Sequence, residues 1–206
     1  MKNKEIWERR HKNSIGRYNR VTEFATLCYD HFLKNKKGKL LDLCCGKGAD
    51  SIFFHSKGFK VTALDYSNEA IQQFTDLQTE KDLFITTLVK DITEPLHFED
   101  SSFDFVYSRL GLNYFSKEVT ESVFSEIKRI LKSEGLLLFQ VKSTSDRSYG
   151  KGKEVEEDLF EDEGYARRYF SKDSIKKLLK GYKILYLEEN TLNNGSSYMD
   201  VAAKKD

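Results

Sequence analysis

One proline in 206 residues leaves no room for proline-rich linkers or a collagen-like repeat. The three cysteines, Cys28, Cys44 and Cys45, are an odd number, two of them adjacent, and form no CxxC pair. That pattern argues against a disulfide framework and a zinc site, and points to the cytoplasm. No apolar run approaches the ~18 residues that span a bilayer, so no membrane partner is expected. The opening MKNKEIWERRHKN lacks the apolar stretch of a secretory signal. Charge of one sign is also missing: 34 Lys and Arg against 33 Asp and Glu leave a net +1. There is thus no global field to draw nucleic acid, and no nucleic-acid partner is expected. What the chain does have is 15 Phe, 11 Tyr and one Trp within a 39% hydrophobic composition, too much for a disordered segment. The length fits one domain with a sizeable core.

The patterning alternates. Residues 5–33 read as helical with polar breaks. From Lys39 on, strand signals (KLLDLCC at 39–45, FKVTAL at 59–64, DLFITTLV at 82–89, FDFVYS at 103–108, LLLFQV at 136–141) are separated by helical ones. The helices lie at 49–56, from the N-cap Ser67 onward, and at 117–132, where Gly135 is the expected stop. Residues 142–169 show neither period. Ser171 then caps a helix, and YKILYLEE with YMDVAAK, joined by NNGS, reads as a closing hairpin. The fold class this predicts is α/β: a seven-stranded, mostly parallel sheet with one antiparallel strand and helices on both faces. The organisation expected is one domain over 1–206. It comprises an N-terminal helical segment (1–38), a nucleotide-binding core (39–142), a substrate cap loop (143–170), and a C-terminal helix with hairpin (171–206).

In such sheets ligands bind beyond the carboxyl ends of the strands. Three places there carry chemistry. Asp42-Leu43-Cys44-Cys45-Gly46-Lys47-Gly48 puts two glycines between a strand and a helix, where backbone can approach a ligand closely. Asp65 ends the second strand, where a carboxylate can accept both ribose hydroxyls. Asp91-Ile92 follows the third, where an acid can accept from an adenine amine while the isoleucine packs on the ring. A dinucleotide fingerprint wants a third glycine, but that position is Ser51, so a dinucleotide oxidoreductase is a distant reading.

LLDLCCGKGAD, VTALDYSNEAI, VKDI, FDFVYSRLGLNYF and IKRILKSEGLLLFQV together resemble class I S-adenosylmethionine-dependent methyltransferases, over about residues 39–142. The tail through GYARRYFSKDSIKKLLKGYKILYLEE is most similar to the small-molecule branch that includes tellurite-resistance-type enzymes. The resemblance implies a Rossmann-like fold and S-adenosylmethionine as cofactor, with S-adenosylhomocysteine as product. It implies that Asp42, Cys44, Gly46 and Gly48 hold the methionine end, Asp65 the ribose and Tyr66 the adenine flank. Asp91 and Ile92 would read the adenine, and Ser108, Arg109 and Leu110 would flank the sulfonium and the incoming nucleophile. Cys44 departs from the glycine or alanine frequent there in the family, and both cysteines are expected to pack within the strand.

Methyl transfer from a sulfonium needs alignment more than acid–base help. No metal-ligand cluster appears, and no metal is expected. No histidine lies in 142–170, but Tyr149, Tyr165, Tyr169, Arg147, Arg167 and Arg168 do, with Tyr169 the candidate catalytic residue beside Ser108 and Arg109. This favours a nucleophile needing little base: a thiolate, a soft oxyanion or an amine. After the fourth strand, Ser108-Arg109-Leu110-Gly111 stands where base-amine methyltransferases carry Asp/Asn-Pro-Pro-aromatic. EVEEDLFEDE (154–163) holds seven acids in ten residues, which would repel a phosphate backbone. Arg9-Arg10-His11-Lys12 reads as solvated surface. The resemblance also has Trp7, Arg17 and Tyr18 covering the cofactor. The expected function is methyl transfer to a small-molecule acceptor, by a monomer or homodimer. The alternatives are a protein or tRNA methyltransferase, or a binding protein that has lost catalysis.

Overall fold

A computed structural model describes residues 2–14 and 20–206. Arg17 and Tyr18 lie outside the described residues. The chain runs α1 (Lys2–Asn13), α2 (Glu23–Cys28) with a π-helical turn to Leu33, β1 (Lys39–Leu43), α3 (Ala49–Ser56), β2 (Lys60–Asp65), α4 (Asn68–Glu80), β3 (Thr86–Val89), β4 (Phe103–Arg109), α5 (Lys117–Ile130) and β5 (Leu131–Lys142). It continues through β6 (Lys153–Glu156), β7 (Leu159–Asp162), β8 (Tyr165–Arg168), α6 (Lys172–Leu178), β9 (Tyr182–Thr191) and β10 (Ser197–Lys205). Seven strands form one sheet in the order β3-β2-β1-β4-β5-β10-β9, with β10 the antiparallel strand between β5 and β9. This is the sheet expected from the alternating pattern.

The central strands are apolar throughout because helices cover both their faces. One core layer gathers Leu41, Leu43, Val106, Phe139 and Val201 with α5 and α6; the other gathers Leu40, Phe54, Phe74, Tyr107 and Leu138 with α2, α3 and α4. The helix starts follow the N-cap rule: Ser67, Ser116 and Ser171 each accept a backbone N–H three residues on.

Four details differ from the sequence-based expectation. β3 is shorter, because Asp82 takes a left-handed turn and Gln78 accepts the Ile85 N–H before the strand begins. α5 ends at Ile130 rather than at Gly135, because Leu131 is drawn into the core and already pairs with Phe103. The cysteines are not inside β1: Cys44 opens the following turn in a left-handed conformation (φ 60°). The stretch 143–170 is not aperiodic. It contains a three-stranded antiparallel sheet, β6-β7-β8, packed through Leu159, Phe160 and Tyr165, with most of its carboxylates exposed. Glu156 is the partial exception, paired with Arg168.

Candidate active site

The turn between β1 and α3 is built by its two glycines for different reasons. At Gly48 (φ 79°) a Cβ would sit 2.3 Å from the Phe74 ring, so α4 closes against the turn only over a bare Cα. At Gly46 (φ 54°) a Cβ would meet only His11, at 3.6 Å, and otherwise project into open space. Asp65 fixes the turn from the next strand: one carboxylate oxygen accepts the Gly46 N–H and the other the Ser67 N–H, each at 2.9 Å. Burial pushes its carboxyl upward, against the pull of those two bonds and of His11. Asp42 accepts the Ser51 hydroxyl and is raised well above the usual carboxylate range, by burial first and by Asp50 and Asp65 as well. Burial likewise keeps the Cys44 and Cys45 thiols protonated.

A cavity of about 1240 Å³ opens beyond these strand ends. Asp42, Cys44, Gly46, Asp65, Tyr66, Asp91, Ile92 and Arg109 line it; Gly48, Ser108 and Tyr169 do not. Ser108 is fully buried, and its hydroxyl donates to the Leu43 carbonyl, which ties β4 to β1. The Tyr169 hydroxyl donates to the Ser148 carbonyl inside the cap. Asp91 uses one carboxylate oxygen for both the Thr93 N–H and its hydroxyl, and leaves the other without a hydrogen bond among the described residues.

The roof is α1. Glu8 accepts the Ser67 hydroxyl and the Asn68 and Glu69 N–H groups, so it caps α4 from a helix about sixty residues away. Lys47 and Gln73 donate to the Ser14 and His11 carbonyls. Trp7, Arg10, His11 and Ser14 therefore face the cavity. The basic run at 9–12 is thus not merely solvated surface. Positions 7, 10, 11 and 14 share one helical face, a spacing that could have flagged it. Sequence reasoning also left out Glu8 and Tyr114. Trp7 meets Tyr114 edge-on, with ring centroids 5.1 Å apart.

The cavity wall carries its carboxylates on one side only, although Lys47 and Lys90 line that side as well. Its carboxylates are Asp42, Asp50, Asp65 and Asp91, from β1, the start of α3, β2 and the turn just past β3. Among the described residues, none lines the wall made by α1, β8 and the ends of β4 and β5; Arg10, Arg109, Lys142 and Arg167 stand there. The acidic stretch 154–163 contributes nothing to this lining. Among the described residues no group of three or more His, Cys, Asp or Glu could hold a metal ion, and no helix is long and apolar enough to cross a membrane.

The acidic half fits an adenosyl cofactor. Asp65 has acceptor capacity left on both oxygens for a ribose diol. Asp91 has an open oxygen beside the buried Ile92, and Gly46 leaves room for close approach.

The family model for a methyltransferase domain matches residues 40–135. The chain is 39% identical to the putative methyltransferase YqeM of Bacillus subtilis over 111 residues, 53% of this chain and 44% of that protein. It is 28% identical to the probable S-adenosyl-L-methionine-dependent methyltransferase TehB of Haemophilus influenzae over 109 residues, 52% of this chain and 37% of that protein. The matches thus span less than half the length of either relative. Among solved structures, the Burkholderia thailandensis 1,6-didemethyltoxoflavin-N1-methyltransferase superposes with a TM-score of 0.72 at 18% identity, over 88% of this chain and 76% of that one. That structure holds 1,6-didemethyltoxoflavin and S-adenosylhomocysteine.

Proposed function

We propose that this chain is a class I S-adenosylmethionine-dependent methyltransferase and that it methylates a small-molecule acceptor held between α1, β8 and the end of β4. The observation that carries this reading is the divided cavity. At about 1240 Å³ it exceeds the roughly 300–1,000 Å³ of a site for one drug-sized ligand. Its acidic half suits the cofactor, which leaves an enclosed aromatic and cationic half for a second molecule. The Burkholderia neighbour, which binds a small acceptor beside S-adenosylhomocysteine, is compatible with this.

The bound cofactor supplies an activated methyl group on a sulfonium. Its methyl would pass to an acceptor lone pair as the carbon–sulfur bond breaks toward sulfur, with any acceptor proton leaving to solvent. The chain supplies position. Asp65 would hold the ribose, Asp91 and Ile92 the adenine, Tyr66 its flank, and Asp42 with the Gly46–Gly48 turn the methionine end; Cys44 would shape the wall next to it. Alignment of this kind is worth ~7–11 kcal/mol when two reactants are held in an attack geometry.

Of the residues proposed for catalysis, Arg109 reaches the cavity, while Ser108 and Tyr169 act as positioning residues, through β1 and through the cap. Burial pushes the Tyr114 phenol up to about 12 and raises Tyr169 as well, so neither phenol is poised as a base. This suits a nucleophile that needs little help. The cytoplasm is the compartment in which the three free cysteines persist unpaired.

Calorimetric titration with S-adenosylhomocysteine, followed by product assays on a panel of small acceptors, tests the reading. One-to-one binding with methylation of a small acceptor supports it. Binding with turnover only on a protein or tRNA overturns the acceptor class. Binding without turnover on any acceptor points to a protein that has lost catalysis.

A further inference from the structure

Tyr165 of β8 carries two guanidinium groups. The Arg10 Cζ lies 4.4 Å from its ring centroid and the Arg167 Cζ 5.1 Å, and Arg10 also lies 5.1 Å from the centroid of Trp7. Arg167 donates to the Tyr165 hydroxyl and interacts electrostatically with the Tyr169 and Tyr114 phenols. All of these partners are neutral. Among the described residues neither Arg10 nor Arg167 has an ion pair. The neighbouring Arg168 shows the contrast: it points away from the cavity, pairs with Glu156, and donates to the Phe115 and Glu157 carbonyls.

Two permanent cations converging on one ring repel each other, and lining a partly enclosed wall costs them hydration. Cation–π contacts offset part of that, on the order of 0.5–2 kcal/mol each. What would neutralise the pair is an anion arriving with a ligand. A guanidinium presents a planar fork that matches a carboxylate bidentately. The rings around it are mutually inclined, Trp7 to Tyr114 by 71° and Tyr114 to Tyr165 by 58°, and line the cavity beside the two guanidinium groups with apolar surface.

We propose that the acceptor half is a binding site for a small organic acid, its carboxylate gripped by Arg167 and Arg10 and its body held among Trp7, Tyr114 and Tyr165. This rests on the small-molecule reading above and narrows it.

Trp7 is the only tryptophan of the chain, so its fluorescence reports occupancy of this wall. The experiment titrates benzoate, and its uncharged isostere benzamide, into the full protein saturated with S-adenosylhomocysteine. Benzoate is expected to give a saturable change in Trp7 emission at concentrations at least tenfold below those benzamide requires. Arg167→Gln should weaken benzoate by about 10–100-fold, the range of hydrogen bonds to a charged group. Arg167→Lys should weaken it less, and S-adenosylhomocysteine affinity should be unchanged in both variants. Benzoate affinity indifferent to Arg167→Gln in a folded variant overturns the proposal, as does sulfate binding as well as benzoate. Equal binding of benzoate and benzamide overturns the acid and leaves the small-molecule reading standing. Binding of neither, with S-adenosylhomocysteine bound, overturns the acid site, and the small-molecule reading is then decided by the acceptor panel.

Discussion

The two halves of the cavity are made in different ways. The acidic half is local: Asp42, the Gly46–Gly48 turn, Asp65 and Asp91 sit at the ends of adjacent strands, and the Asp65 bonds to Gly46 and Ser67 bridge only 19 and 2 positions. The cationic half joins the first helix to a late, small sheet, through Arg10 on Tyr165 and Trp7 on Tyr114. One half is fixed by the sheet, and the other exists only while α1 is docked. Perturbing the turn should therefore damage the whole molecule or the cofactor, whereas perturbing α1 should damage the roof alone.

The largest effect is expected at Gly48. Alanine there places a Cβ 2.3 Å from the Phe74 ring at φ 79°. Overpacking and left-handed strain together cost roughly 2–4 kcal/mol, or a Tm about 5–15 °C lower. Gly46→Ala has no such clash, and its Tm should fall much less while S-adenosylhomocysteine binding is lost in calorimetry. If both variants lose the same stability, the division of labour between the two glycines is wrong.

Next comes Asp65→Ala, which removes the acceptor of two backbone N–H groups together with the proposed ribose contact. Cofactor affinity should drop by ~1.5–3 kcal/mol, the scale of a hydrogen bond to a charged group. Unchanged affinity by titration would reject the ribose assignment.

Glu8→Ala tests that anchor. It removes the carboxylate that caps α4 across the chain, a contact on the order of 1 kcal/mol by analogy with N-cap replacements. The expected result is a red-shifted Trp7 emission and weaker benzoate binding, with little change in Tm. Burial raises the Glu8 carboxyl, but its bonds to Ser67, Glu69 and Asn68 outweigh this and hold it below the usual range. Its contribution is therefore present above about pH 4.3 and fades as the pH falls through that lowered value. Acidification of the wild type should reproduce the red shift.

The same contrast governs what the sequence made legible. The sheet, its one antiparallel strand, the caps at Ser67 and Ser171, and the closing hairpin all follow from local period and turn chemistry. Most of the acidic half followed too, because strand-end acids and glycines lie close together in the chain. The cap sheet did not: β6, β7 and β8 are four residues each, too short to show a period. Their turns place Asp158 and Glu163 at positive φ, and although Gly164 follows Glu163, neither turn offers the Asn-Gly or Asp-Gly pair that would have given the signal. Ser108 looked chemical from its position alone, but its hydroxyl is spent on the Leu43 carbonyl. The roof was legible only in part: positions 7, 10, 11 and 14 share a helical face and the resemblance put Trp7 over the cofactor, but Glu8 meets α4, and Arg10 meets Tyr165, through tertiary packing that no local pattern encodes.

The smallest effect, and the one that separates the halves by chemistry rather than by position, concerns pH. Asp42 is buried, and its folded carboxyl is raised above the unfolded value of about 3.9. Between those two values the native state keeps a proton that the unfolded chain has released, so stability falls as pH rises through that window. Asp42→Asn keeps the shape and an acceptor for Ser51 without the charge. Its Tm should match the wild type near pH 4 and stay higher from there toward neutrality, while cofactor binding weakens through loss of the methionine-end contact. Parallel Tm curves across pH would show that Asp42 carries no buried-charge cost. The cationic half has no counterpart to this slope, since guanidinium groups keep their charge throughout the range. Its strain is relieved by a ligand anion and not by a proton, so adding benzoate should raise the wild-type Tm and leave that of Arg167→Gln nearly unmoved.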